Sequence, residues 1–159
     1  DNFTYNYVNN HPRIMMRRGR YTNDPMIIAQ QDNMVSINAA LQIDLTGQVA
    51  AEALGHIQFS GTGGATDYAY GAYHSRGGRD MLCQISTAKK GTVSRIAPIL
   101  DPGSIVSVSR NLTDMVITEY GVAKLRQRTV KQRVENLIAV AHPDFRAELR
   151  KEANKYMYF

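Results

Sequence analysis

Met34-Val35-Ser36-Ile37-Asn38-Ala39-Ala40-Leu41-Gln42-Ile43-Asp44-Leu45 is the stretch whose reading decides the fold. Residues 34–38 are mostly apolar with polar breaks, and residues 41–45 alternate strictly. Each is expected to form a short strand. Thr46-Gly47 breaks the pattern, and the small, Ala-rich residues 48–54 read as one or two helical turns. Residues 57–59 form another candidate strand, which runs into Ser60-Gly61-Thr62-Gly63-Gly64, the most glycine-dense part of the chain. Further on, residues 81–86, 92–100, 104–109 and 115–119 read as strands. Pro102-Gly103 and Tyr120-Gly121 serve as the breaks between and after them.

Helical signals flank and follow this core. Residues 67–73 fit a helix, 75–79 a loop, and 122–127 a short helix. Thr129 stands three residues before Gln132, the capping-box spacing. Val130, Val134, Leu137, Ile138 and Ala141 then fall on one helical face. Pro143 suits the first position of the last helix, with Asp144 in its first turn and Phe145, Leu149 and Ala153 as its buried stripe. Residues 1–33 read as an irregular lead-in, with turn signals at Asn9-Asn10-His11-Pro12 and Asn23-Asp24-Pro25. Strands in the middle and helices at the end imply an α/β or α+β fold with a mixed sheet flanked by helices.

At 159 residues and 43% hydrophobic, the chain can bury a substantial core and is not a disordered segment. No apolar run approaches the roughly 20 residues that cross a bilayer, so no membrane partner is expected. The polar opening from Asp1 is unlike a signal peptide and reads like the middle of a larger structure. A single cysteine, Cys83, precludes an internal disulfide and points to the cytoplasm. In its apolar strand, that thiol is expected to be buried and inert. Four scattered histidines (His11, His56, His74 and His142) make no metal-ligand cluster, and no metal is expected. The net charge of +5 raises the question of nucleic acid. The cationic residues, however, fall in separate clusters, some mixed with carboxylates at helical spacing, and no nucleic-acid motif is present. No nucleic-acid partner is expected, and the excess suits a phosphorylated small ligand better.

Several residues could carry chemistry. The Ser60–Gly64 run after a strand lets backbone amides converge on an anion, although it also fits a plain strand-to-helix turn. It is neither a Walker A motif nor a complete dinucleotide fingerprint, because Thr66 stands where a third spaced glycine is required. Asn38 ends a strand, where an amide can reach beyond the sheet or simply form a turn. Lys89-Lys90-Gly91 is an exposed basic turn open to a phosphate contact. Glu52 and Glu119 read as a solvated carboxylate and a loop pin, and no catalytic residue is assigned.

Five segments together resemble one family. They are Asp32-Asn33-Met34-Val35-Ser36-Ile37-Asn38, Asp44-Leu45-Thr46-Gly47-Gln48-Val49, Ser60-Gly61-Thr62-Gly63-Gly64, Val116-Ile117-Thr118-Glu119-Tyr120-Gly121 and Ala141-His142-Pro143-Asp144-Phe145. In order and spacing they resemble the C-terminal part of the acetyl-CoA hydrolase/transferase family, in its 4-hydroxybutyrate and butyrate CoA-transferase branch. The resemblance implies a CoA-transferase-like fold, with residues 34–159 as the C-terminal domain of a two-domain enzyme and residues 1–33 leading from its N-terminal part. It implies movement of CoA between carboxylic acids through a glutamyl-CoA thioester. The family's glutamate would lie upstream, because no glutamate precedes Glu52, so this stretch alone is expected to be inactive. It implies an acyl-CoA and a small carboxylic acid as substrates, the N-terminal part of the same enzyme as a partner, and a homo-oligomer. A hydrolase of the same family and a non-catalytic CoA-binding module are the alternatives. The resemblance assigns CoA contacts to Asn38 and Gly61, with Gly63 and Gly64 shaping the loop. Lys89 lies where a phosphate or pantetheine contact would fit. Ala65 stands where the family often has Gln.

Overall fold

The computed structural model describes residues 1–156. Met157, Tyr158 and Phe159, the end of the stretch assigned above to the domain, lie outside the described residues. The helices are α1 (Asn2–Val8), α2 (Gly19–Thr22), α3 (Pro25–Ala29), α4 (Ala65–His74), α5 (Val130–Val140) and α6 (Pro143–Lys155). The strands are β1 (Val35–Asn38), β2 (Gln42–Asp44), β3 (Val49–Ala50), β4 (Ala53–Leu54), β5 (Ile57–Gln58), β6 (Arg79–Cys83), β7 (Thr87–Ala88), β8 (Val93–Ser94), β9 (Ile96–Ala97), β10 (Met115–Thr118) and β11 (Gly121–Lys124).

The main sheet is mixed, in the order β1-β6-β10-β11, with β11 antiparallel and the other pairs parallel. Register places Ser36 beside Asp80, Leu82 beside Val116, and Val116 beside Ala123. All five are buried. The period-2 alternation of a strand puts their neighbours on the opposite face, and there Val35, Ile37 and Val122 are exposed. Helix α4 packs against β1 and β6, α5 against β10 and β11, and α6 against α5. Val134, Leu137 and Ile138 of α5 join Leu82, Val116 and Ala123 in one core cluster. Burying each of the Val, Leu and Ile side chains among them contributes about 1.5–3 kcal/mol. The second sheet, β3-β2-β9, extends the same cluster through Ile43, Val49 and Ile96.

The helix-start signals are realised as local chemistry. Thr129 and Gln132 close a reciprocal capping box, and Pro143 occupies the first turn of α6. Leu149 and Ala153 are buried as expected, whereas Val130 is exposed. Cys83 is only half-buried, not enclosed.

Five expectations are corrected. Residues 1–33 contain three helices, and α3 packs on α4. Asp24 caps α3 through its side chain and Pro25 sits at the first helical position, so the Asn23-Asp24-Pro25 turn signal is also a helix start. Residues 48–54 form β3 and β4 instead of helical turns, because backbone pairing with β2 and β5 overrides the alanine content. Residues 122–127 begin within β11, because Glu119-Tyr120 is a two-residue hairpin turn that sends Gly121–Lys124 back along β10. Residues 92–100 and 104–109 are broken: the first holds only β8 and β9, and the second contributes one bridge, Val108 to Val49.

The α3–α4 contact is close. Gly71 is buried in α4, and a Cβ there would overlap the Ile28 side chain and come within 3.2 Å of the Pro25 carbonyl. Gly71→Ala is therefore expected to destabilise the fold by about 1–3 kcal/mol, the usual cost of overpacking. Thermal unfolding checks this, and an unchanged or raised Tm contradicts it.

Candidate functional site

The glycine run lies between β5 and α4, and it forms one wall of a cleft of about 460 Å³. Residues 60–66 and 105–107 line this cleft together with Asn38, Ala51 and Glu52. Asn38 and the three loop glycines named from the sequence thus meet in one place. Lys89 does not line the cleft. It is exposed in the short 3-10 turn Lys89–Gly91, with a left-handed backbone at φ 47°.

The two walls are tied to one another. The Ser107 N–H donates to the Val49 carbonyl at 2.8 Å, and the Ser107 hydroxyl accepts the Ala51 N–H at 3.0 Å. The Thr66 hydroxyl donates to the Ser107 carbonyl, which joins the start of α4 to the 105–107 wall. On the other side, the Glu52 carbonyl accepts from the N–H groups of Phe59 and Ser60 at 2.8 and 3.2 Å. The Ser104 hydroxyl accepts from Gly55 N–H at 2.7 Å.

A Cβ built at Gly61 or Gly63 would meet nothing within 4 Å, so these two positions open directly on the cleft. Gly64 differs: a Cβ there would lie 2.5 Å from the Asn23 amide nitrogen. Gly64 is also the N-cap of α4 and supplies no side-chain hydrogen bond to it. The first-turn amides of α4 consequently carry no side-chain cap and border the cleft through Gly64, Ala65 and Thr66. Amides at a helix start favour an anion or a developing oxyanion. Asp67, in the first turn, offsets part of that positive field.

Glu52 is a residue that the sequence reading set aside and the structure brings in. It is 7% exposed, not solvated, and it borders the cleft. Glu119 keeps its expected role as a loop pin. Its carboxylate accepts from the Ser86 N–H at 2.8 Å and the Ser86 hydroxyl at 2.7 Å. Burial works against its ionisation, but the Ser86 hydroxyl, backbone amides and His142 together hold its pKa below the usual carboxylate value. The 105–107 wall was read as part of a strand, and no local pattern announces its place beside a loop more than 40 positions earlier. The serines at 104 and 107, which anchor it through side-chain hydroxyls, are the one signal that could have pointed there.

Behind Asn38 lies a polar line. Its Nδ2 donates to the Ser36 hydroxyl oxygen at 3.0 Å, and Ser36 pairs in register with Asp80. Asp80 is 2% exposed, and neither carboxyl oxygen closes a hydrogen bond among the described residues. Burial pushes its pKa up to about 6; the Ser36 hydroxyl opposes the rise and the Asp114 carboxylate adds to it. Among the described residues, no group of His, Cys, Asp or Glu is placed to hold a metal ion, and no helix is long and apolar enough to cross a membrane.

The cleft lies at a strand-to-helix turn of an α/β domain, beside helix-start amides of the kind that suit an anionic or carbonyl-bearing group. The chain belongs to the acetyl-CoA hydrolase/transferase family: residues 1–153 match the acetyl-CoA hydrolase/transferase C-terminal domain. It is 50% identical over 151 residues to a succinyl-CoA:cyclohexane-1-carboxylate CoA transferase of Geobacter metallireducens, covering 95% of this chain and 35% of that protein. It is 48% identical over 151 residues to a 4-hydroxybutyrate coenzyme A transferase of Clostridium kluyveri, with the same coverage of 95% and 35%. The crystal structure of RipA from Yersinia pestis superposes with a TM-score of 0.91 at 46% identity, covering 99% of this chain and 35% of RipA. The chain therefore spans about a third of the length of the relatives it matches.

The buried Asp80 carboxyl has a measurable effect on stability. Its folded pKa is raised from 3.8 to about 6, so the native state holds the proton more tightly than the unfolded chain. Stability from this group is full below pH 4 and is lost as pH rises towards 6 and beyond. Asp80→Asn removes that loss. It is expected to stabilise the protein by about 1–2 kcal/mol at pH 7 and to give no gain below pH 4. Chemical denaturation at both pH values checks the sign, and a neutral-pH destabilisation contradicts it.

Proposed function

We propose that this domain holds the coenzyme A portion of an acyl-CoA within an acyl-CoA:carboxylate CoA-transferase. The observation that carries the reading is the cleft itself. It brings Asn38 and the Gly61–Gly64 amides, distant in sequence, to one opening at the start of α4. The names of the similar CoA transferases support the same chemistry.

In this reading the nucleophile is a glutamate in another part of the longer polypeptide. Its carboxylate attacks the thioester carbonyl, expelling CoA thiolate and leaving an acyl-glutamyl anhydride. The thiolate then attacks the glutamyl carbonyl of the anhydride, releasing the first carboxylate and forming a glutamyl-CoA thioester. An acceptor carboxylate repeats the steps in reverse and leaves with CoA. The loop amides stabilise the carbonyl oxygen as it gains charge. Asn38 fixes the ligand's orientation, and Gly61 and Gly63 give the space for close approach. Glu52 borders the cleft as a hydrogen-bond acceptor and not as the nucleophile. Lys89, away from the cleft lining, has no part in this set. The lone cysteine suits a reducing cytoplasm, where acyl-CoA and free carboxylates meet.

The central test uses the complete polypeptide that carries this domain. After incubation with acyl-CoA, peptide mapping by mass spectrometry is expected to find a CoA-sized increment on a glutamate outside the present sequence. CoA binding with no adduct would defeat the transferase reading, and an adduct on Glu52 would relocate the nucleophile. Release of free acid without an acceptor would make the enzyme a hydrolase.

Binding gives a second test. Gly61→Val and Asn38→Ala are each expected to weaken CoA binding about tenfold, equivalent to about 1.4 kcal/mol, by titration calorimetry. Gly61→Val should leave Tm unchanged, because a Cβ there meets no protein atom within 4 Å. Wild-type affinity in both variants would remove these residues from the CoA site.

A further inference from the structure

Strand β1 is open on two sides. It is the outermost strand of the main sheet and pairs with β6. In a parallel ladder, alternate residues of a strand bond to the neighbour on one side. The Met34 carbonyl accepts the Arg79 N–H at 2.9 Å. Residues 34, 36 and 38 therefore serve β6, and the N–H and C=O groups of Val35 and Ile37 point away from it. A groove of about 360 Å³ runs along this edge, lined by residues 34–38 and Tyr68 of α4. Edge strands are normally guarded against further pairing by a charge, a proline or a bulge. Val35-Ser36-Ile37-Asn38 carries no charge and no proline, and its register with β6 is unbroken over all four residues.

The second open side is a face of the sheet. Ala69 of α4 and Leu137 and Ile138 of α5 join Leu82 and Val116 in the core on one face. On the other face, Val35 and Ile37 are 41% and 67% exposed, and the half-buried Met81, Cys83 and Ile117 continue the apolar surface across β6 and β10. Parallel strands occur with both of their faces covered.

We propose that the β1 edge is a docking slot for a further β-strand, supplied by the preceding part of the same polypeptide, which also covers the apolar face beside it. The outward backbone groups select a strand over a helix. They recur every second residue along one line, and an extended chain presents matching groups at that spacing. The length of the relatives selects the source. Residues 1–153 match a C-terminal domain, and the chain spans 35% of the transferases it resembles, so most of such a polypeptide lies outside this stretch. A second copy fits less well. Two β1 edges paired about a two-fold axis would satisfy the backbone but leave the apolar face of each copy bare. Asn38 lines both the groove and the cleft, so a strand in the slot has one end beside the cleft, whichever way it runs. This inference does not depend on what the cleft binds.

Residue-resolved hydrogen exchange on the complete polypeptide reads the two outward amides directly. The N–H groups of Val35 and Ile37 are expected to exchange about a hundredfold or more slower than unstructured amides, to the same extent at every protein concentration. Exchange near the unstructured rate overturns the proposal. Protection that disappears on dilution to a monomer assigns the edge to a second copy, and it also overturns the proposal. The source of the strand is read by photo-crosslinking. With benzoylphenylalanine in place of Val35, peptide mapping is expected to find a crosslink to a segment of the same polypeptide preceding Asp1. Crosslinks confined to residues 1–159, or running between chains, overturn that assignment. The exchange measurement uses the wild-type protein, so a folding defect in the substituted one leaves the proposal open to refutation.

Discussion

The buried carboxylate of Asp44 is the constraint on which the cleft depends. At 1% exposure it accepts the Thr46 N–H at 2.9 Å, the Thr46 hydroxyl at 2.8 Å, the Gln48 N–H at 3.0 Å and the Gln48 side-chain amide at 2.6 Å. Those bonds compensate a charge that would otherwise be costly to bury. They also close the turn from β2 to β3. From there the path is short: β3 holds Ser107 and Val108 through Val49, Ser107 holds Ala51 and the start of α4, and the cleft stands between them. The Asp-Leu-Thr-Gly-Gln segment therefore shapes the cleft through architecture, and none of its residues lines it.

The basic residues take a similar part. Arg133 of α5 donates from Nη1 to the carbonyls of Thr46 and Arg110 at 3.2 and 2.8 Å, clasping the Asp44 turn from outside. Burial, followed by the neighbouring Arg110 charge, lowers its pKa. Arg95 donates to the carbonyls of Ala40, Leu41 and Thr87. A guanidinium can serve several carbonyls at once because its donors are fixed in a plane. Part of the net charge of +5 thus serves as internal bracing, and counting charges overstates what is left for a phosphate.

Much of the fold was legible because its signals are local. The capping box at Thr129, Pro143 at a helix start, the alternation of 41–45 and the strand at 115–118 each depend on a few adjacent residues. The misreadings fall where pairing partners are distant. Residues 48–54 have a helical composition, but β2 and β5 claim their backbone. Residues 122–124 follow the Glu119-Tyr120 turn and Gly121, which pairs with Thr118, so the chain runs back along β10 instead of leaving the sheet. The candidate site divides in the same way. Asn38 and the glycine loop were visible as motifs, whereas Glu52 and residues 105–107 enter through hydrogen bonds that cross tens of residues. Asp80 was invisible because an aspartate in a strand looks like any surface carboxylate until its register with Ser36 is known.

The emptiness around Gly61 and Gly63 bears on how this domain can change over time. Packing places no steric demand on a Cβ at either position, since no neighbouring atom lies within 4 Å of one. A substitution in the loop would therefore pass cellular checks on solubility and turnover and persist as a well-folded protein with an altered cleft. Gly71 is the opposite case, because a lesion there exposes itself through misfolding. Within one domain, glycine thus guards two separate properties, and only one of them is policed by quality control.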